Sequence, residues 1–316
     1  VPPPAEPLGS DPLDASVLVP ALDAGWCLED QLDALSLQDF AGSWEVVVAD
    51  NGSADDTREV VARRAATFPV PLTLVDASGW RGVGRARNAA ARASRGVVLA
   101  FCDADDAATP GWLRELVAAT TTHGVVACLL VEMTGPGEPQ GRRLNPGCLS
   151  PSGGWWASFG IRRDLFFATG GFDESMPGYG WEDTEYNGRL RAAGITVSPA
   201  PGSVMRFRPT ASRPRLASKV VRAGATEAVL WHRRLLVQGR RLSAQDVARD
   251  LSGLPRRLVA GRSRGRAALA RDVATTLGHA YGWARWVRPG RLDAPRYVGD
   301  DPMGPTVPDG EAGPQR

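Results

Sequence analysis

Lysine is almost missing from this 316-residue chain, with Lys219 the only one. A phosphate-cradling G-x-x-x-x-G-K-[ST] loop is therefore excluded. The four cysteines (Cys27, Cys102, Cys128, Cys148) form no C-x-x-C pair and lie mostly in apolar stretches. Reduced, packed thiols fit that spacing better than a disulfide frame or a zinc site. No apolar run reaches the ~18 residues a membrane span needs, and no charged-then-apolar leader opens the sequence. The expectation is a cytoplasmic protein. Gly82-Val-Gly-Arg-Ala-Arg87-Asn88 imitates a dinucleotide fingerprint, but Arg87 stands where glycine or alanine is needed.

What is present is 43% apolar residues, enough for a full core, and an uneven charge. Between Arg213 and Arg291 there are 18 Arg or Lys against 4 Asp or Glu, a surplus of 14 within a net charge of +2. A basic C-terminal third thus follows an acidic body. Residues 1–14 and 296–316 are rich in Pro and Gly and read as loose tails. Between them lie a main domain over 15–212 and a helical basic extension over 213–295.

In the main domain short apolar runs alternate with helical patterns, which predicts an α/β fold with an open, mostly parallel sheet and crossover helices. Strands are predicted over Ser16–Val19 (stopped by Pro20), Trp44–Ala49, Leu72–Val75, Gly96–Phe101 and Val125–Val131. Helices are predicted near Leu28–Leu35 and over Asp56–Ala66, Arg85–Ser94, Gly111–Thr120, Arg163–Thr169 and Glu182–Ala193. Residues 134–154 read as a Gly- and Pro-rich loop. Past Pro214 the pattern is helical throughout.

Two polar clusters fall where such sheets bind ligands, beyond the carboxyl ends of the strands, and two more open helices. Asp103-Ala104-Asp105-Asp106 follows the fourth strand; bunched carboxylates suit a hard divalent cation, although a solvated turn is the plainer reading. Asp50-Asn51-Gly52-Ser53 follows the second strand, where Asp50 could accept hydrogen bonds from a base edge, or the segment could simply turn and cap a helix. Arg85 or Arg87, at a helix start, could lie along phosphates or face solvent. Gly180-Trp181-Glu182-Asp183 opens a helix with carboxylates, as a general base requires, or as the helix dipole alone would favour.

Taken in order, these residues resemble the large inverting glycosyltransferase family with a GT-A fold, often called family 2. The resemblance runs through Val19-Pro20, Asp50-Asn51-Gly52-Ser53-x-Asp55, Gly84-x-x-Arg87-Asn88, Asp103-x-Asp105-Asp106, Gly170-Gly171-Phe172-Asp173 and Trp181-Glu182-Asp183, about Ser16 to Pro209. It implies a nucleotide-sugar half near 15–131 and an acceptor half near 132–212. It implies a nucleotide-diphosphate sugar donor held by Pro20, Asp50, Asn51, Ser53, Arg87, Asn88, Asp103 and Ala104. Mn²⁺ or Mg²⁺ would sit on Asp105 with Asp103 or Asp106 assisting. Asp50 would meet the base and Asp103 the ribose. Asp183 would deprotonate a hydroxyl acceptor (glycan, lipid-linked or small molecule), Glu182 would hold a sugar, and Trp155, Trp156 and Trp181 would offer aromatic faces. Where relatives place a metal-ligating histidine, this sequence has Arg206 and Arg208, and arginine cannot ligate a cation.

Two other classes compete: a nucleotidyltransferase, whose glycine-rich, lysine-bearing opening is absent, and a non-catalytic nucleotide-sugar-binding scaffold, which an intact Asp105 and Asp183 disfavour. The basic extension 213–291 could dock on the body, meet another subunit, or touch the inner face of a membrane peripherally. Nucleic acid is the weakest option, since Trp231, Trp283 and Trp286 fall at packing positions.

Overall fold

A computed structural model describes residues 11–79, 82–133, 143–144, 157–260 and 265–298. The 134–154 loop, apart from 143–144, lies outside them, as do Cys148, Trp155, Trp156 and most of both tails. The strands are β1 (Leu13–Ala21), β2 (Trp44–Asp50), β3 (Leu72–Asp76), β4 (Gly96–Cys102), β5 (Ala107–Ala108), β6 (Val125–Glu132), β7 (Arg143–Leu144), β8 (Ser158–Arg162) and β9 (Ser198–Phe207). Helices α1 (Leu28–Ser36), α2 (Thr57–Ala65), α3 (Val83–Ala93), α4 (Trp112–His123), α5 (Arg163–Ala168) and α6 (Glu182–Ala192) cover the sheet. The extension holds α7 (Arg213–Val237), α8 (Ala244–Ala260), α9 (Arg266–Gly282) and a π-helical turn, Trp283–Val287.

One sheet runs in the order β3-β2-β1-β4-β8-β6-β9-β5, with β7 on β6. The β3-β2-β1-β4 half is parallel, as the alternation of strands and helices predicts. Beyond it the sheet is mixed: β8 runs antiparallel to β4 and β6, and β9 is parallel to β6 but antiparallel to β5. These added strands are short, or broken by Pro199 and Pro201, so they carry little period-two signal.

Both faces of the central strands are buried, which is why those strands read as unbroken apolar runs. Val17 and Val19 point to one face, with Leu28 and Leu32 of α1 and Trp112 and Leu116 of α4. Leu18 points to the other, with Ala86 and Ala90 of α3 and an aromatic cluster. In that cluster Phe101 stacks on Phe159 at 4.5 Å between centroids and meets Phe172 edge-on at 6.0 Å. Each such buried side chain is worth about 1.5–3 kcal/mol of transfer free energy, so this layer fixes α5 and α6 on the sheet.

Four boundaries differ from expectation. β1 continues through Pro20 to Ala21, because its pairing with β4 ends at Leu18 and Phe101, while β2 alone pairs alongside Pro20. Past that point an absent N–H on the β4 side costs no ladder bond. Helix α3 begins at Val83 and α4 at Trp112, leaving Pro110 before the helix rather than in its first turn. Residues 296–298 are no loose tail: Val298 is buried, its N–H donates to Gly170 O at 2.8 Å, and Glu174 N–H donates to Arg296 O at 2.8 Å.

The extension is bound to itself and to the body. A Cβ on Gly282 would lie 2.1 Å from Ala225 O, so α7 and α9 meet backbone to backbone, which only a hydrogen side chain permits. Arg233 of α7 pairs with the buried Asp173 carboxylate, which also accepts from Ser175 and from Arg296 N–H at 3.1 Å. Asp173 is thus the latch between the acidic body and the basic extension. Among the described residues no helix is long and apolar enough to cross a membrane.

Candidate active site

The carboxyl ends of β1, β2 and β4 meet at one edge of the sheet, and β4 delivers Asp103-Ala104-Asp105-Asp106 there. The acidic turn is pinned from behind by Gln31 of α1, fully buried. Its Nε2 donates to Asp103 O at 3.1 Å and its Oε1 accepts from Ala108 N–H at 3.0 Å. A lone glutamine among Leu28, Leu32 and Leu35 was the available sequence signal for this contact. Ala104 is buried beneath the turn.

Arg87 organises the centre. Its side chain is 5% exposed and reaches in two directions, from Nη2 to Asp103 Oδ1 at 3.0 Å and from Nη1 to Glu182 Oε1 at 3.0 Å. One guanidinium therefore ties the acidic turn of β4 to the first turn of α6. It lies over the Phe172 ring at 5.3 Å. The close approach depends on Gly84, one turn earlier, where a Cβ would come within 3.1 Å of Phe172 Cβ and 3.6 Å of Glu182 Cβ. Arg87 is thereby an internal bridge and not a surface arm for phosphates.

The neighbouring sequence candidates build loops. Asn88 is fully buried; its amide donates to Phe172 O and Glu174 Oε1 at 2.8 and 2.9 Å and accepts from Phe172 N–H at 3.0 Å. Asn51 donates to Ala77 O at 2.7 Å and accepts from Gly82 N–H at 2.7 Å, joining the ends of β2 and β3 to the start of α3. Asp50 is buried, with Ser53 N–H on Oδ1 at 3.0 Å and Arg58 Nε on Oδ2 at 2.5 Å. Ser53 Oγ accepts from Asp23 N–H at 2.9 Å. Pro20 is buried within β1. Asn51, Asn88 and the two Nη atoms of Arg87 are thus bonded inside the fold, whereas Arg87 Nε is buried without a hydrogen-bond partner among the described residues.

Glu182 and Asp183 open α6, whose preceding residue, Trp181, holds φ 71°, a left-handed conformation unusual for a bulky side chain. Strain of this kind costs about 1–3 kcal/mol and survives only where surroundings impose it. Here α7 does: the Thr226 hydroxyl lies 3.0 and 3.1 Å from the carbonyls of Pro177 and Tyr179, and Trp181 packs with Met176, Val229 and Leu230. Trp181 accordingly packs against the extension instead of facing the sheet edge. Asp183 is half-buried, with Thr184 N–H 2.7 Å from Oδ1.

Arg208 resolves the arginine pair at the end of β9. Its N–H donates to Asp106 Oδ1 at 3.0 Å, Nε to Asp105 O at 2.9 Å, and Nη2 to Asp30 Oδ2 at 2.6 Å. Arg206, next but one along the strand, is exposed. Arg208 is thus a second cation beside the acidic turn, in addition to Arg87.

Electrostatically the site is a set of carboxylates short of positive charge. Burial, then the charges of Asp103 and Asp105, pushes Asp106 up to about 9. Burial raises Asp103 to about 6 against the opposing pull of Arg87. Burial and the Asp183 charge raise Glu182 to about 7. Asp106 Oδ2 is buried without a hydrogen-bond partner among the described residues. Hard oxygens, mutual repulsion and an orphaned acceptor fit a divalent cation. As they stand, no three His, Cys, Asp or Glu side chains among the described residues converge as a finished metal site. Asp103 is turned to Arg87 and Asp106 to Arg208 N–H, which leaves half-buried Asp105 as the carboxylate facing out. The thiols take no part: burial drives Cys27 up to about 12 and Cys102 well above its ordinary value.

The raised carboxylates set the pH dependence of the metal-free protein. Groups whose folded pKa exceeds the unfolded value stabilise the fold at low pH and lose that contribution as pH rises through the folded pKa. For Asp103, Glu182 and Asp106 the window runs from about 4 to about 9. Melting temperatures without divalent ions are expected to fall across that window, and Asp106→Asn, which cannot ionise, should flatten the upper part of the fall. An unchanged slope in the variant would contradict the assignment.

The profile of Glycosyl transferase family 2 matches residues 16–175. The chain belongs to glycosyl transferase family 2. The matched stretch takes in the Asp50, Arg87 and Asp103–Asp106 segments and stops before Glu182, so the second half of this family 2 site and the extension lie outside it. A Bacillus subtilis glycosyltransferase, YfnE, is 37% identical over 117 residues, covering 37% of this chain and 29% of that protein. Validoxylamine A glucosyltransferase of Streptomyces hygroscopicus subsp. jinggangensis is 28% identical over 222 residues, 58% of this chain and 52% of its own. The chain therefore spans about half or less of the length of these relatives. The fold is shared with the mannosyltransferase PcManGT of Pyrobaculum calidifontis, solved with GDP-Man and Mn²⁺, at TM-score 0.61 and 18% identity over 90% of this chain and 92% of that one.

Proposed function

We propose that this family 2 chain transfers a sugar from a nucleotide-diphosphate donor to a hydroxyl acceptor with inversion at the anomeric carbon. The observation that carries the reading is the Arg87 bridge, which sets the acidic turn of β4 and the Glu182-Asp183 turn on either side of one buried guanidinium. Diphosphate and acceptor hydroxyl would then be presented to the two carboxylate groups from one cleft. Support also comes from the family and from relatives named as glycosyltransferases.

Asp183 is the half-buried carboxylate at the head of α6 that takes the proton. As the acceptor oxygen bonds to the anomeric carbon, its proton passes to Asp183 and the bond from that carbon to the diphosphate oxygen breaks. Glu182, held by Arg87, orients a sugar hydroxyl. Arg208 places positive charge beside the departing diphosphate. Asp105, with Asp103 or Asp106, would hold a divalent cation, which would stabilise the charge of the leaving group by several kcal/mol without a proton donor. No acid partner is needed, in contrast to glycoside hydrolysis, whose leaving group is an alcohol.

Thermal-shift measurements over UDP-, GDP- and dTDP-sugars, each with and without Mn²⁺ or Mg²⁺, test this reading. One donor family is expected to raise the melting temperature, and by much more with the cation, since ligands of the native state stabilise it. Equal shifts with and without cation would remove the metal from the proposal. No shift with any nucleotide sugar would remove the donor.

A further inference from the structure

Beside Glu182 a small cavity, lined by Gly82–Arg85, Glu174, Met176, Gly178 and Gly180, leads away from the acidic turn. It shares Arg85, Glu174 and Met176 with a second, open cleft formed between the body and the end of the extension. Its apolar wall is Met176, Pro177, Trp286 and Leu292, and Arg291, Arg296 and Arg85 stand around it.

The charge of this cleft is not cancelled. Arg85 is engaged with Glu174, and Glu174 is itself taken by Asn88 and Arg92. Arg291 and Arg296 have no ion-pair partner among the described residues. The one remaining carboxylate of the lining, Asp293, is exposed. Arg296 is also held in place: its N–H donates to Asp173 Oδ1 at 3.1 Å and its carbonyl accepts from Glu174 N–H at 2.8 Å, so its side chain springs from a fixed point. An aromatic and aliphatic wall lined by two guanidinium groups suits a sugar-like ring carrying an anion, because indole faces accept sugar C–H groups and arginine forks match phosphate and carboxylate oxygens.

We infer that this cleft is an acceptor subsite for a hydroxyl compound bearing a phosphate or carboxylate, held by Arg291 and Arg296. The inference rests on the transferase reading for the word acceptor, and its binding test does not. Calorimetric titration of the full chain with glucose 6-phosphate, glucuronate and glucose separates the two anions from the neutral ring. At least one anion is expected to bind about tenfold or more tightly than glucose, and to weaken with added salt. Whichever anion binds identifies the chemistry, phosphate or carboxylate. The double variant Arg291→Gln/Arg296→Gln should lose about tenfold or more of that affinity, while binding of the nucleotide-sugar donor stays unchanged. Arg291 is exposed and Arg296 half-buried, and neither side chain has an ion-pair partner among the described residues, so the melting temperature is expected to stay unchanged, which is checked in parallel. Anions bound no better than glucose, or a double variant that binds like the parent, overturns the subsite. Intact anion binding with no nucleotide-sugar binding would overturn the transferase reading and leave the cleft standing as an anion site.

Discussion

Replacing Arg87 by methionine is expected to lower stability by about 3–5 kcal/mol at pH 8, the cost of removing one partner from a buried charged network. Its 5% exposed guanidinium is all that neutralises Asp103 and Glu182 together, at 3.0 Å each. Methionine fills much of the volume, so the loss reports charge and not a cavity. The penalty should shrink at pH 5.5, because both carboxylates are already raised by burial and can take a proton once the cation has gone. Arg87→Lys should recover only part of the loss, since one ammonium cannot span two directions as a planar fork does. Denaturant unfolding at the two pH values reads these changes. A loss under about 1 kcal/mol, the scale of an exposed pair, would mean that the bridge is not what joins the two acidic turns.

The second large effect concerns the proton. Asp183→Asn is expected to lower kcat for transfer by about 10²–10⁴-fold, the usual contribution of a positioned general base. The donor dissociation constant should stay within a few-fold, because the base acts only as the acceptor oxygen attacks. The side chain is half-buried and asparagine is isosteric, so folding is preserved. Glu182→Gln should behave differently. It breaks the Arg87 contact, so it should affect stability and sugar binding as well as turnover. Single-turnover rates and donor titrations on both variants separate the roles. An Asp183→Asn enzyme that turns over normally would move the base elsewhere.

Much of this was legible in the sequence for physical reasons. Strands buried on both faces write unbroken apolar runs, so β1, β2, β4 and β6 were visible, and with them the edge that carries Asp50 and Asp103–Asp106. The motif order carried the family. Roles were less legible than positions. Arg87, Asn88 and Asn51 read as ligand-facing in the sequence, and their bonds within the fold are invisible there, because sequence order cannot tell which way a polar side chain points. Strands β5, β8 and β9 escaped because two residues, a five-residue run leading straight into α5, and a run broken by proline show little period. Arg233 on Asp173, and Arg296–Val298 returning to the body, are long-range pairings with no local signature. The charge asymmetry did point to them: a basic third beside an acidic body has a reason to dock.

That docking also changes how the extension bears on the candidate site. The strained backbone of Trp181 and the carbonyls before it are held by α7, so the turn carrying Asp183 is set by residues beyond the matched family stretch. The extension is part of the site's scaffold.

The anomeric configuration of the product, read from the anomeric proton coupling by NMR as transfer proceeds, tests the one-base, one-step reaction most directly. A single carboxylate base and a direct displacement require configuration opposite to that of the donor. Retained configuration would contradict it, since retention demands a second displacement or a different path, and Asp183 would then not be the group that drives the reaction.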